Sequence, residues 1–136
     1  MQKELLERFD KLLDIDRNNL DKEILEQPRL LWEVVKLATQ ATKERHEAKK
    51  ALERLEAKLC QAVRMKAIEQ GTKITEAFIK ERVELDTEYQ AAHTTFLEAQ
   101  YEQELLEGLK ESFAQRQYNL RSYTELYKSN YGATGA

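Results

Sequence analysis

A chain of 136 residues with a net charge of −3 is long enough for one domain at most. Charged residues make up 35% of it, and one proline and four glycines leave few helix breakers, a composition typical of long helices. A single cysteine excludes an internal disulfide, and no apolar run approaches the roughly 20 residues that span a bilayer. Because the charged N-terminus does not resemble a signal peptide, these features predict a cytoplasmic protein.

The first segment, residues 1–27, is predicted to be a helical N-terminal extension. One face of its first helix collects the apolar side chains Leu5, Leu6, Phe9, Leu12 and Leu13. Asn19 is the expected N-cap of a second short turn that carries Leu20, Ile24 and Leu25.

Residues 28–70 are predicted to form a long basic helix. Pro28 suits its first turn, where a missing N–H costs nothing, and Gly71 is the expected C′ residue that ends it. Apolar residues recur at alternating spacings of three and four, as in a coiled-coil seam. The seam is Leu31, Val34, Ala38, Ala41, Arg45, Ala48, Leu52, Leu55, Leu59, Ala62 and Lys66, of which only Arg45 and Lys66 are charged.

A corner at residues 71–86 and a second long helix at residues 87–131 complete the chain. Thr75 is the expected N-cap of a short helix inside the corner, and Asp86 is the expected N-cap of the last helix. The last helix carries a second seam: Ala92, Ala99, Leu106, Leu109, Phe113, Leu120, Tyr123 and Tyr127.

The pattern therefore predicts one all-α domain in which two long helices fold back as an antiparallel hairpin. A hairpin of two helices cannot bury two apolar seams by itself, so we expect a homo-oligomer. The expected subunit contacts lie near the C-terminus, at Leu106, Leu109, Phe113, Leu120, Tyr123 and Tyr127.

Catalysis is not expected, and neither is a metal or another cofactor. His46 and Glu47 begin like a zinc-protease motif, but Lys50 stands where the second histidine must be. Cys60 lies beside a seam residue and is interpreted as a small packed thiol. An enzyme would need a convergent polar pocket that two histidines and one cysteine barely permit.

Basic residues concentrate in residues 28–70, which carry a net charge of +4. The candidate DNA-binding residues are Lys50, Arg54, Lys58, Arg64, Lys66 and, in the corner, Lys73. A row of cations suits a phosphate backbone, because each contact releases condensed counterions. The alternative is a solvated, salt-bridged helix face, since glutamates are interleaved with these cations.

Aromatic and basic residues also alternate near the C-terminus, at Arg116, Tyr118, Arg121, Tyr123, Tyr127, Lys128 and Tyr131. Such a set can stack single-stranded bases. Tyrosines at spacings of three and four more often form an interface core, which is the interpretation favoured for Tyr123 and Tyr127.

Several short blocks follow one another in a characteristic order. They are Ile15-Asp16-Arg17-Asn18-Asn19-Leu20, the Trp32-bearing helix, Val63-Arg64-Met65-Lys66-Ala67, Thr72-Lys73-Ile74-Thr75-Glu76-Ala77, Leu85-Asp86-Thr87-Glu88-Tyr89, Arg116, and residues 120–127. In this order and at this chain length, they resemble the phage UvsY recombination mediator family over nearly the whole chain. Arg64 and Lys66 match the family's basic motif, although no tyrosines are adjacent to them here.

The resemblance implies a small phage protein of the host cytoplasm that forms a ring-like homo-oligomer. It further implies binding to single-stranded DNA, with Arg64 and Lys66 as contacts, and assistance to a RecA-like recombinase in displacing single-stranded-DNA-binding protein. The alternative function is a non-catalytic coiled-coil scaffold or phage assembly protein that binds only protein. A scaffold has no need of a row of cations in residues 28–70, so DNA binding separates the two.

Overall fold

A computed structural model describes the backbone of residues 3–134 and the side chains of residues 3–130. The elements are α1 (Lys3–Leu12), a 3₁₀ turn (Arg17–Asn19), α2 (Leu20–Glu69), α3 (Glu76–Glu84) and α4 (Thr87–Thr134). Residues 3–134 contain no strand, so the predicted all-α fold is confirmed. None of the helices in this range combines the length and apolar character needed to cross a membrane.

The long helix α2 begins at Leu20, eight residues before the predicted start at Pro28. Pro28 lies inside the helix, where its missing N–H removes one bond at a cost of about 3 kcal/mol. The flanking side chains of Gln27 and Leu30 are both buried, and such tertiary packing outweighs local propensity. Asn19, the expected N-cap of the turn that carries Leu20, is instead the last residue of the 3₁₀ turn before α2. The Asp16 carboxylate caps that 3₁₀ turn by accepting from the Asn18 N–H at 3.0 Å.

The C-terminal end of α2 and the first turns of α3 and α4 form as their sequences predict. Gly71 has a φ of 65° and donates to the Ile68 carbonyl, while the Thr72 N–H donates to the Ala67 carbonyl. This bond pair is the Schellman arrangement that ends a helix at a glycine. The Thr75 hydroxyl accepts from the Phe78 N–H at 3.2 Å and caps α3. The Asp86 carboxylate accepts from the Tyr89 N–H at 3.1 Å and caps α4.

The chain's internal contacts divide it into two compact units. The terminal unit comprises the residues up to Thr39 together with those from Glu104 onwards, and the central unit comprises Gln40–Gln103. Each long helix contributes one part to each unit.

In the terminal unit, α1 packs against the paired stretches of α2 and α4. The buried centre consists of Phe9, Leu30, Val34 and Phe113. The rings of Phe9 and Phe113 meet edge to face, with centroids 5.9 Å apart, a geometry that aromatic pairs prefer. The apolar face of α1 predicted from the sequence is therefore the face that it buries.

In the central unit, α2 and α4 also run antiparallel. The Gln103 side-chain amide donates to the Thr42 hydroxyl at 3.1 Å, and the Arg45 guanidinium lies 5.8 Å from the centre of the Phe96 ring. Further along the pair, burial and then the charge of the Glu56 carboxylate raise the pKa of Tyr89. The residue numbers of these contacts rise along α2 while they fall along α4, as antiparallel pairing requires. Helix α3 adds its buried side chains Ile79 and Val83 to this unit.

Candidate nucleic-acid interface

Four basic side chains lie in a row along α2 in the central unit: Lys43, Lys50, Arg54 and Lys58. At about 100° per residue, their spacings of seven, four and four confine them to an arc of about 80°. The buried residues Ala41 and Leu52 lie on the opposite side of the helix. The four cations, called the basic row below, therefore face away from the core.

The basic row is open to solvent, and its four cations form no ion pair among the described residues. All four side chains are exposed, and none has an ion pair or hydrogen bond among the described residues. One carboxylate, Glu47, occupies the same arc and is also exposed. The row thus presents four positive charges and one negative charge on one face.

Arg64 lies beside the row and is paired. Its Nη2 is 3.1 Å from both carboxylate oxygens of Glu76, the first residue of α3. The side chains are 54% and 82% exposed, so solvent screens the pair and its contribution to stability is at most about 1 kcal/mol. A competing phosphate could take the place of this carboxylate.

Lys66 points away from Arg64, as the 200° between residues i and i+2 requires. It lines a cleft of about 570 Å³ formed by the end of α2 and by α3. In that cleft the Arg82 guanidinium lies 5.7 Å from the centre of the Phe78 ring. Lys73 is exposed between α2 and α3. The predicted DNA-binding residues therefore divide, with Lys50, Arg54 and Lys58 in the row, Arg64 beside it, and Lys66 and Lys73 elsewhere.

The residues predicted to form subunit contacts are mostly used inside the chain. Leu106, Phe113 and Leu120 are buried in the terminal unit, so for these three the prediction of an intersubunit contact is corrected. The expectation was that the hairpin of two helices cannot bury both seams alone, whereas in the terminal unit α1 adds the apolar face that packs against α2 and α4. Leu109 packs against the same core, and the Tyr123 hydroxyl accepts from Arg17 at 3.1 Å. Tyr127 is 63% exposed and remains a candidate contact.

Sequence reasoning misplaced Arg116, which it grouped with surface cations. Arg116 is 3% exposed and donates to the carbonyls of Leu13 and Asp14 at 3.2 and 3.1 Å. It also pairs with the Glu23 carboxylate. The available signal was its spacing, since it follows Phe113 by three residues and precedes Leu120 by four, on the buried stripe of α4.

The described residues contain no group of three or more histidine, cysteine, aspartate or glutamate side chains placed to hold a metal ion. His93 stacks on the Tyr89 ring at 6.0 Å, and Cys60 is half-buried as a free thiol.

Comparisons of the chain with protein-family models, curated proteins and solved structures found no match.

Proposed function

We propose that this protein is a homo-oligomeric recombination mediator that binds single-stranded DNA. The observation that carries the proposal is the basic row, because its four exposed cations form no ion pair among the described residues. A helix face stabilised by its own salt bridges would show such pairs, and this face does not.

The chemistry of the row suits a phosphate backbone. A cation that neutralises a phosphate of a single strand releases condensed counterions, and log K falls by about 0.7 per contact for each tenfold rise in salt. Four contacts per protomer thus give a slope of about −3. Because backbone contacts carry no sequence information, we expect affinity to vary little with sequence.

Assembly would multiply this weak site. A protomer with a net charge of −3 holds a polyanion poorly, but several rows acting on one strand bind with avidity. Exposed apolar side chains are available for such an assembly, with Leu97 and Tyr101 in the central unit and Leu126 and Tyr127 in the terminal unit. Leu97, Tyr101 and Leu126 join Tyr127 as candidate subunit contacts, in place of the buried Leu106, Phe113 and Leu120.

The mediator role rests on the resemblance to the UvsY family. It assigns as partners a RecA-like recombinase and a single-stranded-DNA-binding protein, in the cytoplasm of a phage host. The protein would act without catalysis, by holding the strand while one protein replaces the other. A scaffold that binds only protein is the competing function.

The test is a salt titration of binding to a fluorescent oligonucleotide, with the mass of the protein measured by light scattering. The row variant replaces Lys43, Lys50 and Lys58 with alanine. The matched control replaces Lys3, Lys11 and Lys80, which are exposed lysines outside the row. The row variant should lose about three quarters of the salt slope, and the control should keep it.

Equal slopes for the two variants would place the DNA elsewhere. An assembled protein that does not bind the oligonucleotide would favour the scaffold, and a monomer at micromolar concentration would contradict the oligomer.

A further inference from the structure

The terminal unit has an apolar groove that the proposed DNA-binding function does not use. It runs along the paired stretches of α2 and α4 and has a volume of about 830 Å³. Its apolar lining is Ile24, Pro28, Leu31, Trp32, Val35 and Leu120. Trp32 is 59% exposed and Ile24 is 43% exposed, which is unusual for side chains of this size.

The same pair of helices already holds an amphipathic helix on another side. Helix α1 packs on Leu30, Val34 and Phe113 through its own apolar face. At about 100° per residue, the mean direction of Leu30 and Val34 on α2 lies about 125° from that of the apolar α2 residues that line the groove. The groove therefore offers a second binding surface for a helix, on a different face of α2 from the one that contacts α1.

The rim of the groove is predominantly basic. Arg121 and Lys128 line it from α4, with Glu125 as the one lining carboxylate. On the α2 side, the Lys36 ammonium lies 5.9 Å from the centre of the Trp32 ring. A ligand with an apolar face and acidic flanks would match this arrangement. Helix α1 is a poorer match, since its own acidic and basic residues balance.

We infer that this groove binds an acidic amphipathic helix of a different protein. Apolar side chains of that helix would contact Trp32 and Ile24, and its carboxylates would pair with Arg121 and Lys128. Helix-in-groove recognition of this type places anchors at spacings of three and four residues. The inference is independent of DNA binding.

Trp32 is the only tryptophan, so its fluorescence reports directly on the groove. The probe is a tryptophan-free synthetic peptide of about 14 residues with leucines on one helical face and glutamates elsewhere. The control peptide carries lysine in place of glutamate. On titration into the full chain, the acidic peptide should shift Trp32 emission to shorter wavelength saturably, with an affinity at least about tenfold above that of the basic peptide.

Two neighbouring substitutions localise the binding. Ile24→Asp puts a charge into the groove and should weaken the acidic peptide by at least about tenfold. Leu25→Asp is the matched control, because Leu25 is 80% exposed and does not line the groove. It should leave the affinity unchanged. Circular dichroism checks that both variants keep their helix content.

A second variant, which reverses the charge of the groove rim, tests the inference even if Ile24→Asp does not fold. Arg121→Glu with Lys128→Glu changes only exposed side chains and should reverse the preference towards the basic peptide. Absence of a saturable shift, or equal affinity for the two peptides, would overturn the inference. So would a fall in oligomer mass caused by Ile24→Asp but not by Leu25→Asp, because the occupant would then be a second copy of this chain.

Discussion

The Arg116 guanidinium donates to the Gln27 side-chain carbonyl, with Nη1 and Oε1 2.7 Å apart, and both side chains are almost fully buried. The Gln27 amide in turn donates to the Phe113 carbonyl at 2.6 Å. Arg116 also donates to the two backbone carbonyls that follow α1. One buried cation therefore connects α4, α2 and the chain leaving α1.

Arg116→Ala should lower the unfolding free energy of the terminal unit. The substitution leaves Gln27 and the Glu23 carboxylate without their donor, and breaking a buried charged pair costs about 3–5 kcal/mol. Urea denaturation followed by circular dichroism measures the change. Arg121→Ala is the control, since Arg121 is exposed and its loss should alter the unfolding free energy by less than about 0.5 kcal/mol. Similar values for the two variants would show that the Arg116 network does not stabilise the fold.

The fold could be predicted from the sequence wherever one local signal decided it. Gly71, Thr75 and Asp86 each act through their own backbone or side chain, and all three end or begin a helix as predicted. Pro28 was misleading because the preference of proline for the first turn of a helix is weaker than the stabilisation from burying the neighbouring residues. Arg116 was misleading because its charge suggested solvent, whereas its partners come from segments distant in the sequence.

The candidate site could be predicted only in part for the same reason. Helical spacing alone placed Lys50, Arg54 and Lys58 on one face. It could not show that Arg64 meets Glu76, because that contact depends on how the chain turns after α2. Nor could it show that α1 covers Phe113, which requires knowing which apolar faces meet.

Phe113→Ala should destabilise the protein by about 3–5 kcal/mol, because it removes a fully buried ring and leaves a cavity. Phe113 is 0% exposed and packs on Phe9. Leu126→Ala, which alters a side chain that is 60% exposed, should change the unfolding free energy by less than about 0.5 kcal/mol. Thermal denaturation at several protein concentrations measures both. If Phe113 were instead a subunit contact, its effect would depend on concentration.

Two glycines should respond oppositely to alanine. Gly71 has a φ of 65° and nothing within 4 Å of an added Cβ, so Gly71→Ala should cost about 1–2 kcal/mol through backbone strain alone. Gly108 lies inside α4, also with nothing within 4 Å. Gly108→Ala should stabilise the protein by about 0.5–1 kcal/mol, because glycine is a poor helix former. Chemical denaturation of both variants checks the signs, and a stabilising Gly71→Ala would contradict the helix end described above.

The ion pair between Arg64 and Glu76 makes a separate prediction about DNA. If Arg64 contacts phosphate, Glu76 competes for it, since Arg64 Nη2 is 3.1 Å from both Glu76 oxygens. Glu76→Gln should then strengthen oligonucleotide binding and steepen the salt slope by about 0.7 per protomer. Arg64→Ala should weaken binding, and adding Glu76→Gln to it should restore little. Glu81→Gln is the matched control, because it removes the same charge from an exposed position on α3. An equal gain from Glu81→Gln would mean that only net charge matters, and no change in either variant would remove Arg64 from the interface and leave the basic row alone.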